Sequence, residues 1–187
     1  MFVSEIIYLQ PDEVKKLINT IDNLEDKALI VTGLETGMRV SEITKGFFIE
    51  MINWDSGTAK IFDEKKDLWR EIAIPRNALN LLKMYLNAEK RKKGPVFPFT
   101  YKTANRKLMK WIKKAGIQKY KNGRPVNFTW HKLRHTFVRL SAQAHRDPMA
   151  VAQQTGDRLT TVLKIYGTWL PSAMAKHFDE KPLVKGE

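Results

Sequence analysis

The stretch Trp130-His-Lys-Leu-Arg-His-Thr-Phe-Val-Arg-Leu-Ser-Ala-Gln-Ala144 reads as a helix with two unlike faces. Residues three and four apart share a helical side, so His131, Arg134 and His135 cluster together while Leu133, Phe137 and Leu140 point into a core. A histidine that titrates near neutrality beside a permanent, planar cation suits the oxygens of a phosphate. The His-x-x-Arg spacing is common on helix surfaces, so it gains weight only from its surroundings.

Upstream, Pro11 opens an apolar helical pattern through Val14, Leu17, Ile18 and Ile21, and a second helix spans Glu25 to Thr36. Gly37 closes it, and Arg39 begins a short third helix carrying Val40 and Ile43. A turn at Trp54 to Gly57 precedes two short runs of strand formers, Thr58 to Phe62 and Trp69 to Ile74. They make a small antiparallel hairpin or meander with Asp63 to Leu68 as its tip. After Pro75 the helical period returns with Leu79, Leu82 and Leu86, ends in the charges of Glu89 to Lys93, and is broken by Gly94-Pro95. The next helix, Thr100 to Ala115, turns Leu108, Trp111, Ile112 and Ala115 inward. Its other face holds Lys102, Arg106, Lys107, Lys110, Lys113 and Lys114, of which Lys102, Arg106, Lys107 and Lys110 are candidate DNA contacts; a plain solvated face fits equally well. Helices at Pro148 to Gln154 and Thr160 to Tyr166 complete an α+β, mainly α chain. The expectation is one domain over 1–187, with a core from about 9 to 170 and a tail at 171–187.

Composition narrows the chemistry. With 187 residues and 43% hydrophobic content the chain can bury a substantial core without staples. It has no cysteine, which excludes disulfides, thiolate nucleophiles and Cys-based zinc sites. No apolar run approaches the ~20 residues that span a bilayer, and no signal peptide is visible, so a cytoplasmic protein is expected. A formal charge of +13, from 33 Lys and Arg against 20 Asp and Glu, attracts polyanions, with nucleic acid the leading partner. Neither a cofactor nor a metal is expected.

Two further segments give the helix its context: Thr36-Gly-Met-Arg-Val-Ser-Glu-Ile43 before it and Gly156-Asp-Arg-Leu-Thr-Thr-Val-Leu-Lys-Ile-Tyr166 after it. In this order the three resemble the tyrosine recombinases, the phage-type integrases and Xer-type enzymes. That family shares T-G-x-R-x-x-E, then H-x-L-R-H, then L-G-H with a tyrosine following. The resemblance runs from Leu9 to Tyr166 and implies the recombinase catalytic fold and cleavage and rejoining of double-stranded DNA through a 3′-phosphotyrosine. Arg39 and Arg134 match the arginines that clamp the scissile phosphate, His131 the histidine that manages protons, and Tyr166 the nucleophile. His135 matches a position that more often braces the helix. The lysine that protonates the leaving 5′ oxygen aligns with Lys66, with Lys65 its close competitor. The glycines that usually flank it are absent.

One position departs from the pattern. Where the family has a second histidine, or sometimes a tryptophan, this chain has Asp157. A carboxylate only accepts hydrogen bonds, and at about 4 Å in an effective dielectric near 20 it would repel a phosphate by roughly 4 kcal/mol. Asp157 is therefore expected to turn aside and pair with a base such as Arg158, or to orient a catalytic arginine; otherwise the enzyme is attenuated. The resemblance also implies a homotetramer on DNA, self-associating weakly alone, in which a C-terminal element such as Ser172 to Phe178 docks on a neighbour or forms a bland surface tail. The separate helical domain that usually precedes the catalytic one is expected to be absent. Relaxation of the type IB topoisomerase kind and DNA binding without turnover remain as alternatives.

Overall fold

The computed structural model describes residues 6–166 and 179–180. Helix α1 (Pro11–Thr20) starts on a proline whose fixed φ suits the first helical turn, and Glu13 Oε2 accepts the Gln10 N–H at 2.7 Å. Helix α2 (Leu24–Thr36) is capped by Asn23, whose Oδ1 accepts the Asp26 N–H at 2.8 Å. Ala28, Leu29, Ile30 and Leu34 are all buried, so this helix is apolar around most of its circumference and forms the middle of the core. It ends at Gly37, with φ at +64°, and the short α3 (Val40–Lys45) follows with Arg39 at its N-cap.

Three strands then form an antiparallel meander, β1 (Phe47–Asn53), β2 (Thr58–Asp63) and β3 (Leu68–Ala73), in the order β1-β2-β3. The outer strand β1 was not anticipated. Phe47-Phe-Ile-Glu-Met-Ile-Asn53 does not alternate regularly, and its register against β2 shifts between Phe47 and Ile52, so the period-two signal is lost. β2 and β3 pair without slip from Thr58↔Ala73 to Asp63↔Leu68, which sets Asp63 at the base of the tip and Lys65 and Lys66 beyond it.

Helices α4 (Arg76–Ala88) and α5 (Tyr101–Lys114) follow as expected. A second small hairpin, β4 (Lys119–Lys121) and β5 (Arg124–Val126), was missed. Its turn residues Asn122 and Gly123 have φ of 50° and 73°, the positive pair that a tight two-residue hairpin requires and that Asn-Gly favours. Helices α6 (Trp130–Gln143), α7 (Pro148–Thr155) and α8 (Leu159–Tyr166) close the described chain. The amphipathic segment from Ser172 to Phe178 lies outside the described residues.

Packing brings α6 onto the α2–α3 turn. The Trp130 ring lies so close to Gly33 that a Cβ there would meet its Cζ2 at 2.4 Å, and Trp130 Nε1 donates to the Met38 carbonyl at 2.9 Å. A smaller apolar cluster of Phe137, Val138, Val151, Ala152, Val162 and Ile165 joins α6, α7 and α8. Leu133 and Phe137 are core residues as expected, whereas Leu140 is only half-buried. Among the described residues no helix is long and apolar enough to cross a membrane.

Candidate active site

A turn, a strand and a helix each bring an arginine to one cluster of charge. The α2–α3 turn contributes Arg39, whose Nη1 contacts Glu42 Oε1 at 2.9 Å and Asp63 Oδ2 at 2.8 Å. Glu42 also accepts the Arg39 backbone N–H at 2.6 Å, so the acid at the third position of α3 holds both ends of that arginine. Strand β3 contributes Arg70, with Nη1 donating to the Gln154 carbonyl at 2.5 Å and Nη2 at 2.9 Å from Glu42 Oε1. That second contact has ion-pair distance without hydrogen-bond alignment. Helix α6 contributes Arg134, which donates from Nη1 to the Gly37 carbonyl and from Nη2 to the Thr155 carbonyl, both at 2.6 Å.

Asp157 stands between the two outer arginines. Its Oδ1 lies 2.8 Å from Arg39 Nη2 and its Oδ2 lies 2.6 Å from Arg134 Nη2. Thus Asp157 pairs with both arginines rather than with Arg158. The two clamp arginines do not stand in a cluster of bases alone: three guanidinium groups, Arg39, Arg70 and Arg134, face three carboxylates, Glu42, Asp63 and Asp157. Such balance is what burial demands, since Glu42 and Asp63 are each 1% exposed and an unpaired charge there would be costly.

The titrations follow from this packing. Burial alone would push the Asp157 carboxyl up, but the charge and hydrogen bond of Arg134, then those of Arg39, hold it below the usual carboxylate range. Burial would likewise lower Arg39, yet Glu42, Asp63 and Asp157 outweigh it and strengthen its hold on the proton. His131 is pushed down by loss of hydration and then by the Arg134 charge, which favours the neutral form able to accept a proton. His135 packs edge-on to it at 4.1 Å between ring centres and is lowered to about 4 by burial, His131 and Arg134.

At the rim, the Lys66 ammonium donates to the Gly156 carbonyl, the residue next to Asp157. The hydrogen bond of Lys65 is a backbone one, to Asp63 Oδ1 at 3.1 Å. Gly156 has φ of +67°, and a Cβ there would lie 2.8 Å from Arg70 Nε, so a glycine lets β3 and the α7–α8 turn close on each other. Tyr166 is placed elsewhere. Its hydroxyl donates to the Arg146 carbonyl at 3.0 Å, and burial followed by the Asp147 charge pushes its pKa up.

The family model described as the phage integrase family matches residues 8–168. This chain belongs to the phage integrase family. Its relative Tyrosine recombinase XerA of Pyrococcus horikoshii is 30% identical over 179 residues, covering 95% of this chain and 62% of that protein. The crystal structure of XerA recombinase superposes with a TM-score of 0.73 at 25% identity, covering 96% of this chain and 65% of that one. XerH site-specific recombinase, solved bound to difH substrate in a pre-cleavage complex, superposes with a TM-score of 0.69 at 23% identity, covering 90% and 52%. The chain therefore spans less than two thirds of the length of these relatives, and the fold is that of tyrosine recombinase catalytic domains.

In this integrase-family chain the expected site residues divide into two groups. Arg39, Arg134 and Asp157 are in direct contact, with Lys66 and His131 at the edge of the same cluster, while the Tyr166 hydroxyl is held by α6–α7 backbone instead. The sequence reading assigned no role to Glu42, Asp63 or Arg70. Glu42 was visible as the last letter of T-G-x-R-x-x-E, but the other two carried no local signal, because only strand pairing delivers them here.

On α5, Lys102, Arg106 and Lys110 are exposed and four residues apart, so they share one face. Lys107 turns inward and is corrected as a DNA contact: its ammonium lies 2.5 Å from both Glu25 and Asp26, and Asp26 also accepts the Trp111 Nε1–H at 2.7 Å. We expect Lys107→Met to lower unfolding free energy by about 1–3 kcal/mol through the stranded Asp26. Lys110→Ala should instead leave stability unchanged within about 0.5 kcal/mol and reduce the salt slope of DNA binding by about 1. Denaturant melts and binding isotherms across a salt series check both.

Proposed function

We propose that this chain is the catalytic part of a site-specific DNA recombinase that cleaves and rejoins duplex DNA through a 3′-phosphotyrosine. The observation that carries this reading is the sharing of one anion by Arg39 and Arg134, two guanidinium groups from distant segments held from behind by Glu42, Asp63 and backbone carbonyls. Fixed donors of this kind stabilise the charge that builds on the non-bridging oxygens during phosphoryl transfer.

In this mechanism the Tyr166 oxygen attacks the phosphorus and its proton passes to neutral His131. The bond to the 5′ oxygen breaks, Lys66 supplies that oxygen with a proton, and a phosphotyrosine remains. Attack by a 5′ hydroxyl reverses the step, so the bond energy is retained without ATP. Lys102, Arg106 and Lys110 contact phosphates nearby. Double-stranded DNA as partner is supported by relatives solved with their DNA substrates, and a homotetramer on DNA, acting in the cytoplasm, belongs to the same proposal.

A second reading, a DNA-binding protein with attenuated turnover, is favoured by Asp157 between the arginines and by the Tyr166 hydroxyl on Arg146. A nicked suicide duplex separates the two. An SDS-resistant protein–DNA adduct is the expected result, and binding without any adduct would leave only the second reading. Type IB relaxation has weaker support, since the relatives are named recombinases; exchange between paired sites, scored against supercoil loss, decides it.

A further inference from the structure

Each clamp arginine is held from the rear and still presents Nη2 forward. Arg39 spends Nη1 on Glu42 and Asp63, while Arg134 gives Nη1 to the Gly37 carbonyl and shares Nη2 between the Thr155 carbonyl and a carboxylate. Both Nη2 atoms then converge on the two oxygens of a single carboxylate, that of Asp157. A phosphodiester also carries two anionic oxygens on one central atom, so it would make the same two-point contact. The side chain of Arg134 is 5% exposed, and the anion its Nη2 meets is the partly exposed Asp157 carboxylate.

We propose that Asp157 is the resident counter-anion of an oxyanion seat, holding Arg39 and Arg134 in register until a phosphodiester displaces it. This deepens the recombinase reading and rests on it for the identity of the natural ligand. The carboxylate has a way out: its side chain is 19% exposed, it sits in the turn between α7 and α8, and exposed Arg158 adjoins it as an alternative partner. Removing its charge leaves three guanidinium groups against Glu42 and Asp63, an excess of one positive charge aimed at the vacated position. Asp157 is thus a positioning residue that acts through the arginines, and it stands where relatives by resemblance carry a donor.

The test uses the full chain without DNA and inorganic phosphate as the probe. Asp157→Ala should bind phosphate about tenfold more tightly than the parent, the gain expected if the seat is open in about a tenth of parent molecules. It should also melt at lower temperature in phosphate-free buffer and recover as millimolar phosphate is added, while the parent barely responds. Asp157→Asn, closer in shape, is measured beside it in case the alanine variant does not fold; folding only in the presence of phosphate also supports the seat. Arg39→Gln combined with Asp157→Ala should abolish the recovery. Equal phosphate affinity in parent and both variants, or recovery that survives Arg39→Gln, would overturn the proposal. Because no DNA is present, phosphate recovery in a protein that never forms an adduct would uphold the seat and refute the recombinase reading instead.

Discussion

Tyr166→Phe is expected to reduce the covalent protein–DNA adduct to background while changing unfolding free energy by no more than about 1 kcal/mol. The hydroxyl has one hydrogen bond in the structure, to the Arg146 carbonyl, at a site open enough for water to replace it. Its ring, packed against the cluster of α6, α7 and α8, is kept by phenylalanine. The chain has no cysteine to take over as nucleophile. The resting geometry adds a requirement: burial and Asp147 raise the pKa of the phenol where it lies, so phenolate is disfavoured there. The Arg146 charge offsets this only in part, and in the proposed mechanism the hydroxyl leaves the Arg146 carbonyl to reach a phosphate held by Arg39 and Arg134. An adduct of undiminished yield in the phenylalanine variant, or one mapped to Tyr101 or Tyr120, would remove Tyr166 from the mechanism.

Glu42→Ala should be the most destabilising single polar change, with a loss of about 3–5 kcal/mol, and should take the adduct with it. Glu42 is 1% exposed and lies 2.9 Å from Arg39, 2.9 Å from Arg70 and 3.8 Å from Arg134. Alanine would leave three guanidinium groups in a closed space with only Asp63 and Asp157 to oppose them, and would free the Arg39 N–H that Glu42 accepts. Glu42→Gln keeps the shape and one acceptor, so a smaller loss is expected. Denaturant titration of the three proteins gives the comparison. A loss below about 1 kcal/mol for the alanine variant would mean that the arginines are held adequately by backbone carbonyls.

Most helices were legible because each carries its own start, period and stop: Pro11 opens α1, Gly37 closes α2, and Pro148 and Gly156 bracket α7. The strands were legible where they alternate, as in β2 and β3, and not in β1, whose shifted register mixes inward and outward residues. The β4–β5 hairpin had its Asn122-Gly123 signal in plain view, but three-residue strands are too short to show a period. For Asp157, charge chemistry alone required a cationic partner. The nearest in sequence was Arg158, whereas folding supplied two better ones from residues far along the chain.

By itself, then, the sequence determined which residue types would be available: two arginines, a neutral-range histidine, a tip lysine and a tyrosine, in an order that also names the family. Tertiary structure decided how they are joined. It placed Glu42, Asp63 and Arg70 around the arginines, set Asp157 across them, and left the Tyr166 hydroxyl on Arg146. The reason is one of range. Helix period and capping act over a few neighbouring residues, whereas buried charges choose partners in three dimensions, where the loss of water leaves neutral pairing as the condition for packing them at all.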